Sequence, residues 1–326
     1  MENKLIVTGG YGFIGSNFIK YIMEKYPFQK VVNIDKVTYS GNPKNLNSIE
    51  NNENYEFIKA DIIDDEQIED LINESDTIVN FAAESHVDNS IKNPKEFIRT
   101  NILGVHNLLE IARKKKARLF VQISTDEVYG SLKIDDKSSK EGDILEPSSP
   151  YSASKAAAEM LCRANIRTFN QPIIITRSSN NFGPYQFPEK VIPLFITNLI
   201  EGGKIPLYGK GQNIRDWIYV LDHCEAIDFI IKNGSFGEIY NIGGGNEIKN
   251  IDLTRKILKN LKKDNSWIEE VADRLGHDLR YSLDCNKIRN LGWKPKFNFD
   301  DALKKTIKWY NGNSDWWKPL KGRKSV

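Results

Sequence analysis

The chain has 326 residues, 40% hydrophobic and 28% charged, the balance of an ordinary globular protein with room for one large domain or two modest ones. Formal net charge is +2, and the basic runs are confined to Arg113–Lys116 and the last few residues, so nothing marks a nucleic-acid partner. Lys114–Lys116 read instead as a helix C-terminus, where cations suit the dipole. No apolar run nears the ~18 residues of a membrane span, and the chain enters its first strand directly, so neither a membrane anchor nor a leader is expected. Cys162, Cys224 and Cys285 are scattered and odd in number, without metal-ligand spacing. They predict no disulfide framework, no metal site and a reducing, cytoplasmic setting.

Leu5-Ile6-Val7 is a short apolar strand ending at Gly9, and Ile14, Phe18, Ile19 and Ile22 follow at helical spacing. Between them, Thr8-Gly9-Gly10-Tyr11-Gly12-Phe13-Ile14-Gly15 fits G-x-G-x-x-G from Gly10 and G-x-x-G-x-x-G from Gly9. Glycines there allow a tight turn and close approach of a pyrophosphate, which the helix N-terminus receives on free N–H groups. The bland alternative is a glycine turn that merely packs helix on strand. Val31–Ile34 predicts the second strand and ends at Asp35, whose carboxylate would accept from an adenine-ribose diol and repel a 2′-phosphate, favouring NAD over NADP.

Tyr55–Ile58 reads as the third strand, with Asp61-Ile62 after it to meet the adenine. Thr77–Phe81 reads as the fourth, followed by Ala82-Ala83-Glu84-Ser85-His86, where small residues let the backbone lie beside a cofactor. His86 taken alone is more readily a polar rim residue than a catalyst. Leu119–Ile123 and Ile173–Thr176 supply the fifth and sixth strands. Helical segments separate the strands, which implies right-handed crossovers and an α/β fold with a doubly wound parallel sheet of Rossmann type. After Asn180 glycine and proline become frequent. Residues 1–180 are therefore expected to form the dinucleotide domain, and 181–326 mainly a smaller region that holds the other substrate. Ile239–Ile242 is expected to return to the main sheet, near 238–243.

In Ser149-Pro150-Tyr151-Ser152-Ala153-Ser154-Lys155, Ser149 can cap a helix with Pro150 at its first position, leaving Tyr151 and Lys155 one turn apart on one face. A neighbouring ammonium and a positive nicotinamide are expected to lower the phenol's pKa, so that Tyr151 can take an alcohol proton while hydride leaves. Thr125 can hydrogen-bond the same oxygen. Asp126-Glu127 reads, in isolation, as a solvated acidic turn. Beside a ketone-forming site it gains a second use: oxidation at C4 of a sugar acidifies the C5 proton, a base removes it, and an acid protonates the departing C6 hydroxyl. Hydride return to C6 completes a redox-neutral dehydration, which requires the cofactor to stay bound throughout.

Once these residues are placed, Leu5 to about Tyr281 resembles the extended short-chain dehydrogenase/reductases, and among them the dTDP-glucose 4,6-dehydratases. The most specific stretches are Ala82–Asp88, Ser124–Gly130, Asn180–Lys190 and Arg215-Asp216-Trp217. The resemblance implies Thr125, Asp126, Glu127, Tyr151 and Lys155 as catalytic residues, with Asp126 the acid and Glu127 the base. It implies NAD contacts at Gly9, Gly12, Phe13, Ile14, Gly15, Asp35, Lys36 and Thr38. Further contacts are implied at Asp61, Ile62, Ala82, Ala83, Glu84, Ser85, Asn101, Tyr151, Lys155 and Asn181. It implies a dTDP-hexose pocket of His86, Thr125, Asn180, Lys190, Val191, Pro206, Tyr208, Arg215, Asn250, Arg274 and His277.

Arg215 suits a diphosphate because its fork matches phosphate oxygens, the alternative being a salt bridge to Asp216. The family's Asp-Arg-Pro-Gly-His-Asp-Arg-Arg-Tyr segment is Asp273–Tyr281 here, with Leu275 and Leu279 at two positions, which leaves a UDP-sugar open. A nucleotide-sugar 4-epimerase would use Tyr151, Lys155 and NAD but leave Asp126-Glu127 without a task. A non-catalytic protein on the same fold would be free to lose Tyr151 or Lys155. The resemblance also implies a homodimer, with the Tyr151 helix and an Asn93–Lys115 helix facing their mates. Trp316-Trp317 read as packing or disorder.

Overall fold

The computed structural model describes residues 3–273 and 276–323. Its first half alternates strand and helix: β1 (Lys4–Thr8), α1 (Phe13–Lys25), β2 (Lys30–Asp35), β3 (Tyr55–Lys59), α2 (Asp65–Glu69) and β4 (Thr77–Asn80). Then come α3 (Val87–Lys92), α4 (Pro94–Ile98), α5 (Val105–Lys114), β5 (Leu119–Thr125), α6 (Pro150–Phe169) and β6 (Ile173–Ser178). The second half adds β7 (Asn180–Phe182), α7 (Val191–Ile200), β8 (Ile205–Tyr208), β9 (Ile214–Tyr219), α8 (Val220–Asn233), β10 (Ile239–Ile242) and β11 (Glu247–Lys249). It closes with α9 (Asn250–Asn260), β12 (Ile268–Val271), α10 (Asn286–Asn290), α11 (Phe299–Gly312) and α12 (Ser314–Trp317).

Seven strands form one parallel sheet in the order β3-β2-β1-β4-β5-β6-β10. Its inner strands read as unbroken apolar runs because helices cover both faces. On one face Phe18, Ile19 and Ile22 of α1 pack with Ile227 and Ile230 of α8; on the other, Leu108 and Leu109 of α5 pack with Ala158 and Cys162 of α6. Full burial of each large apolar side chain contributes about 1.5–3 kcal/mol. The order reverses between β1 and β4, so the loops leaving their C-terminal ends splay apart and open a crevice. β10 joins this sheet beside β6, although it follows the lobe strands β7, β8 and β9 in the chain.

The lobe is built on a three-stranded sheet, β11-β9-β7, and a β12-β8 pair. Phe182, Phe195, Trp217, Leu253 and Leu303 gather its core. Trp317 is fully buried and donates from Nε1 to the Tyr310 carbonyl at 2.7 Å. Trp316 donates to Asn45 Oδ1 at 2.8 Å, so the tryptophan pair packs and pins the end of the chain to the loop after β2.

The structure breaks the expected Asn93–Lys115 helix. Between α4 and α5, Arg99–Gly104 winds as a π-helix, a wider turn that often marks a functional site. Gly104 closes it against Ile62, where a Cβ would stand 2.5 Å from Ile62 Cδ1. Ser149 does cap α6, in a reciprocal bond pair with Ser152 and with Pro150 in the first turn. Among the described residues no helix is long and apolar enough to cross a membrane.

Candidate active site

Gly9 leaves β1 at a φ of +69°, and a Cβ on it would lie 2.7 Å from the Ala82 nitrogen. A Cβ on Gly15 would lie 2.4 Å from the Gly9 carbonyl oxygen. The turn can therefore exist only without those carbons. α1 starts after Gly12 with no side-chain cap and no acidic residue in its first turn, leaving the positive end of the helix to the crevice. Asp35, Lys36, Thr38, Asp61, Ile62, Ala82, Ala83 and Glu84 line one end of that crevice with Gly9 and Gly12. Phe13, Ile14, Gly15, Ser85 and Asn181 line its continuation.

Asp35 accepts from the Tyr11 nitrogen at 2.9 Å and the Val37 nitrogen at 2.7 Å. Burial pushes its carboxyl up, against those two bonds. Lys36 pairs with Asp61 at 2.8 Å. A glycine cradle, an uncapped helix start and a buried carboxylate at the end of β2 are what a dinucleotide needs, so the residues present fit one.

Asn101, expected beside the cofactor, is not among the residues that line the crevice. It is buried behind the crevice wall, where Nδ2 donates to the Glu84 carbonyl at 3.0 Å and Ser154 Oγ at 2.8 Å, and Oδ1 accepts from the Glu84 nitrogen at 2.9 Å. The π-turn aims it inward, so it braces the loop after β4 against α6. Asn181 lines the crevice, but its Oδ1 meets His223 Nδ1 at 2.9 Å. Burial lowers that imidazole to about 3, so it stays neutral.

Thr125 ends β5, the 3-10 turn Asp126–Tyr129 carries Asp126 and Glu127, and α6 carries Tyr151 and Lys155; all five line one cavity. Thr125 hydrogen-bonds the Tyr151 side chain, approaches Asp126 Oδ1 at 3.2 Å and accepts from the Glu127 nitrogen at 3.3 Å. Burial, then Glu127 and Asp216, push the Asp126 carboxyl well above the usual range, against the pull of Arg215. Asp126 Oδ2 is buried without a hydrogen-bond partner. Burial and the neighbouring carboxyls thus favour the neutral form of Asp126.

The chain's own groups act against the expected lowering of the Tyr151 phenol, which counted on a positive nicotinamide as well as the ammonium. Burial, then Glu127 and Asp126, push the phenol up, and only the Thr125 bond opposes them. Lys155 donates instead to the Ile123 carbonyl at 2.5 Å, and burial lowers its ammonium to about 8.

A second cavity continues from the first through Ser85, Glu127, Asn180, Asn181, Gln186, Glu189 and Lys190, which line both. His86, Val191, Pro206, Tyr208, Arg215, Asn250 and His277 line it; Arg274 lies outside the described residues. Arg215 Nη2 donates to the Asp278 carbonyl at 2.9 Å, and its guanidinium stacks 4.3 Å from the Tyr281 ring centre. Asp216 accepts from the Asn246 nitrogen at 2.6 Å. Lys190 donates to the Ser85 carbonyl at 2.9 Å, His86 Nε2 stands 3.8 Å from Glu189, and His277 pairs with Asp273 at 2.6 Å. Leu279 keeps its stretch in place by backbone, accepting from the Ile214 nitrogen at 2.8 Å.

Asn180 Oδ1, Asn250 Oδ1 and Trp217 Nε1 are buried here without hydrogen-bond partners, the state of groups that a polar ligand completes. Tyr281 and Gln186 also line the cleft and were not among the expected site residues. Both lie in stretches singled out above, 180–190 and 273–281, but a motif alone does not tell which of its side chains turn toward the cleft.

A family model described as GDP-mannose 4,6 dehydratase matches residues 6–306. The dTDP-glucose 4,6-dehydratase of Streptomyces niveus is 46% identical, over 98% of this chain and 96% of its own. The low-salt glycan biosynthesis protein Agl12 of Haloferax volcanii is 46% identical, over 95% of this chain and 99% of its own. The crystal structure of DesIV, a dTDP-glucose 4,6-dehydratase from Streptomyces venezuelae with NAD bound, superposes with a TM-score of 0.95 at 47% identity, covering 98% of this chain and all of DesIV.

Proposed function

The chain belongs to the GDP-mannose 4,6 dehydratase family, among its dTDP-glucose 4,6-dehydratases, and we propose that it converts dTDP-glucose to dTDP-4-keto-6-deoxy-glucose with NAD as resident cofactor. The observation that carries this reading is a buried Asp126, its carboxyl pushed well up by burial, beside Glu127, Thr125 and Tyr151 in one cavity. A 4-epimerase needs Tyr151 but has no use for a buried acid next to a second carboxyl.

The glycine cradle, Asp35 and the start of α1 would hold NAD. When bound, NAD accepts hydride from C4 and returns it to C6. Tyr151 takes the C4 hydroxyl proton while Thr125 holds that oxygen. Two carboxyls push the phenol up, so Tyr151 works only with positive charge alongside, from Lys155 and from an oxidised nicotinamide. Glu127 then removes the C5 proton that the C4 ketone has acidified, and Asp126 protonates the departing C6 hydroxyl. Asn180, Lys190, Asn250 and Arg215 bind the nucleotide diphosphate, Arg215 by its fork. The product suits the synthesis of deoxysugars such as rhamnose.

The working unit is a homodimer packed through α6 and the Pro94–Lys114 stretch, supported by exposed Ile98, Leu103 and Met160 on those elements. Three free, buried cysteines support a reducing cytoplasm.

Mass spectrometry of dTDP-glucose and UDP-glucose, each incubated with the purified protein without added NAD, tests the reading. Loss of one water from dTDP-glucose is expected. Loss only from UDP-glucose would keep the chemistry and reassign the nucleotide, pointing to Leu275–Leu279. No mass change in either, even with NAD supplied, would sink the dehydratase.

A further inference from the structure

Behind the reacting residues lies a buried ionic network that the scheme above does not use. Glu159 follows Lys155 by one turn and Tyr151 by two on the same face of α6, and is wholly buried. Its carboxylate accepts from Ser124 Oγ at 2.5 Å. Arg177 of β6 holds the same carboxylate through Nε at 3.0 Å and Nη2 at 2.5 Å. Arg177 also donates from Nη1 to the Tyr129 hydroxyl at 2.7 Å and lies over that ring at 4.7 Å. Tyr129 in turn donates to Asn241 Oδ1 of β10 at 2.8 Å.

The ends of this network are what matter. Ser124 sits between Ile123, whose carbonyl receives Lys155, and Thr125, which meets Tyr151. Tyr129 closes the short turn that carries Asp126 and Glu127. One ion pair thus ties together the three segments that carry all five reacting residues. A buried ion pair is weak evidence of added stability, since well-packed apolar residues often replace it without loss.

Resting on the dehydratase reading, we propose that Glu159 and Arg177 are positioning residues: Glu159 holds Lys155 as an ammonium, and Arg177, through Tyr129, holds the acid–base turn against C5 and C6. Burial lowers Lys155 to about 8, and Glu159 is the first group that opposes it. Lys155 donates to the Ile123 carbonyl of β5, and Cys162 of α6 is the other titratable group that bears on it. Burial pushes the Cys162 thiol up, which leaves the Glu159 carboxylate, held by Arg177, as the charge one turn from Lys155. Removing its charge lets Lys155 lose its proton at a lower pH.

The test reads Lys155 directly, by the side-chain carbon NMR titration of the holoenzyme, assigned with Lys155→Arg. Glu159→Gln is expected to move that titration down by about 1 pH unit and to carry the alkaline limb of kcat with it. If the single change prevents folding, Glu159→Gln with Arg177→Gln removes both charges, and a smaller shift in the same direction is expected, since Glu159 is the nearer charge along α6. Tyr129→Phe is expected to leave the titration in place while slowing elimination about tenfold relative to oxidation at C4, so that reduced nicotinamide accumulates. An unmoved Lys155 titration in the Glu159 variants, or no accumulation in Tyr129→Phe, would overturn the proposal. The titration stands whether or not dTDP-glucose is the substrate. A wild-type protein that leaves dTDP-glucose unchanged refutes the functional reading and not the Glu159 assignment.

Discussion

The cofactor crevice and the substrate cleft meet at Glu127, but they are built by different means. The crevice is made of backbone: a turn that excludes two Cβ atoms, an uncapped helix start and one buried carboxylate held by two main-chain N–H groups. The cleft is made of side chains from the loop after β4, from β7, β8, β9 and α9, and from the Asp273–Tyr281 stretch. Several of its buried polar atoms lack a partner within the chain. A backbone site is rigid and tolerates no added carbon; a side-chain site is completed by what it binds and can be tuned one residue at a time.

The sharpest tests fall where the two regions meet. Tyr151→Phe should lower kcat about 10³-fold while NAD still copurifies, because the hydroxyl acts on the sugar and not on cofactor retention. Turnover of dTDP-glucose and released NAD, measured on one preparation, check both halves. Glu127→Gln should slow elimination about 10²-fold and leave oxidation at C4, so a single turnover should build reduced-nicotinamide absorbance. Elimination at the wild-type rate would remove Glu127 from its role as base.

Weaker effects separate the regions themselves. Gly9→Ala should cost about 1–3 kcal/mol and empty the crevice of NAD, because the new carbon meets the Ala82 backbone. Gly142→Ala has nothing within 4 Å of its new carbon and should leave the denaturation midpoint and NAD content unchanged. Arg215→Lys should raise KM about tenfold with kcat nearly constant, since a point charge replaces a fork. A fall in kcat with KM unchanged would move Arg215 from binding to chemistry.

A last effect, confined to acidic pH, is on stability. His223 titrates at about 3 when folded and near 6.5 when unfolded, so below 6.5 the unfolded chain binds the extra proton. Stability should therefore fall by about 1.4 kcal/mol per unit as pH drops from 6.5 toward 3. Denaturant midpoints at neutral and mildly acidic pH should show this slope, and it should flatten in His223→Gln.

Much of the molecule was legible in the sequence because its signals are local. Six parallel strands, the glycine turn, the Ser149 cap and the Tyr151–Lys155 spacing each depend on residues a few positions apart, and their geometry follows from sterics and hydrogen-bond closure. The departures have a shared cause. Asn101 faces away from the crevice because a π-turn, formed where Gly104 meets Ile62, rotates it inward. The Tyr151 phenol is pushed up by burial and by two carboxyls that converge on it from another segment. Neither effect leaves a mark within a window of ten residues.

By itself, then, the amino-acid sequence determined the alternation of strand and helix, the glycine turn after β1 and the capped start of α6, since all of these rest on short-range periodicity and turn chemistry. Tertiary structure alone decided which charges face one another. The upward push on Asp126, the downward push on Lys155 and the Glu159–Arg177 pair arise where β5, β6 and α6 are packed together. Burial and Coulomb interactions depend on distance through space, which the order of residues along the chain does not carry.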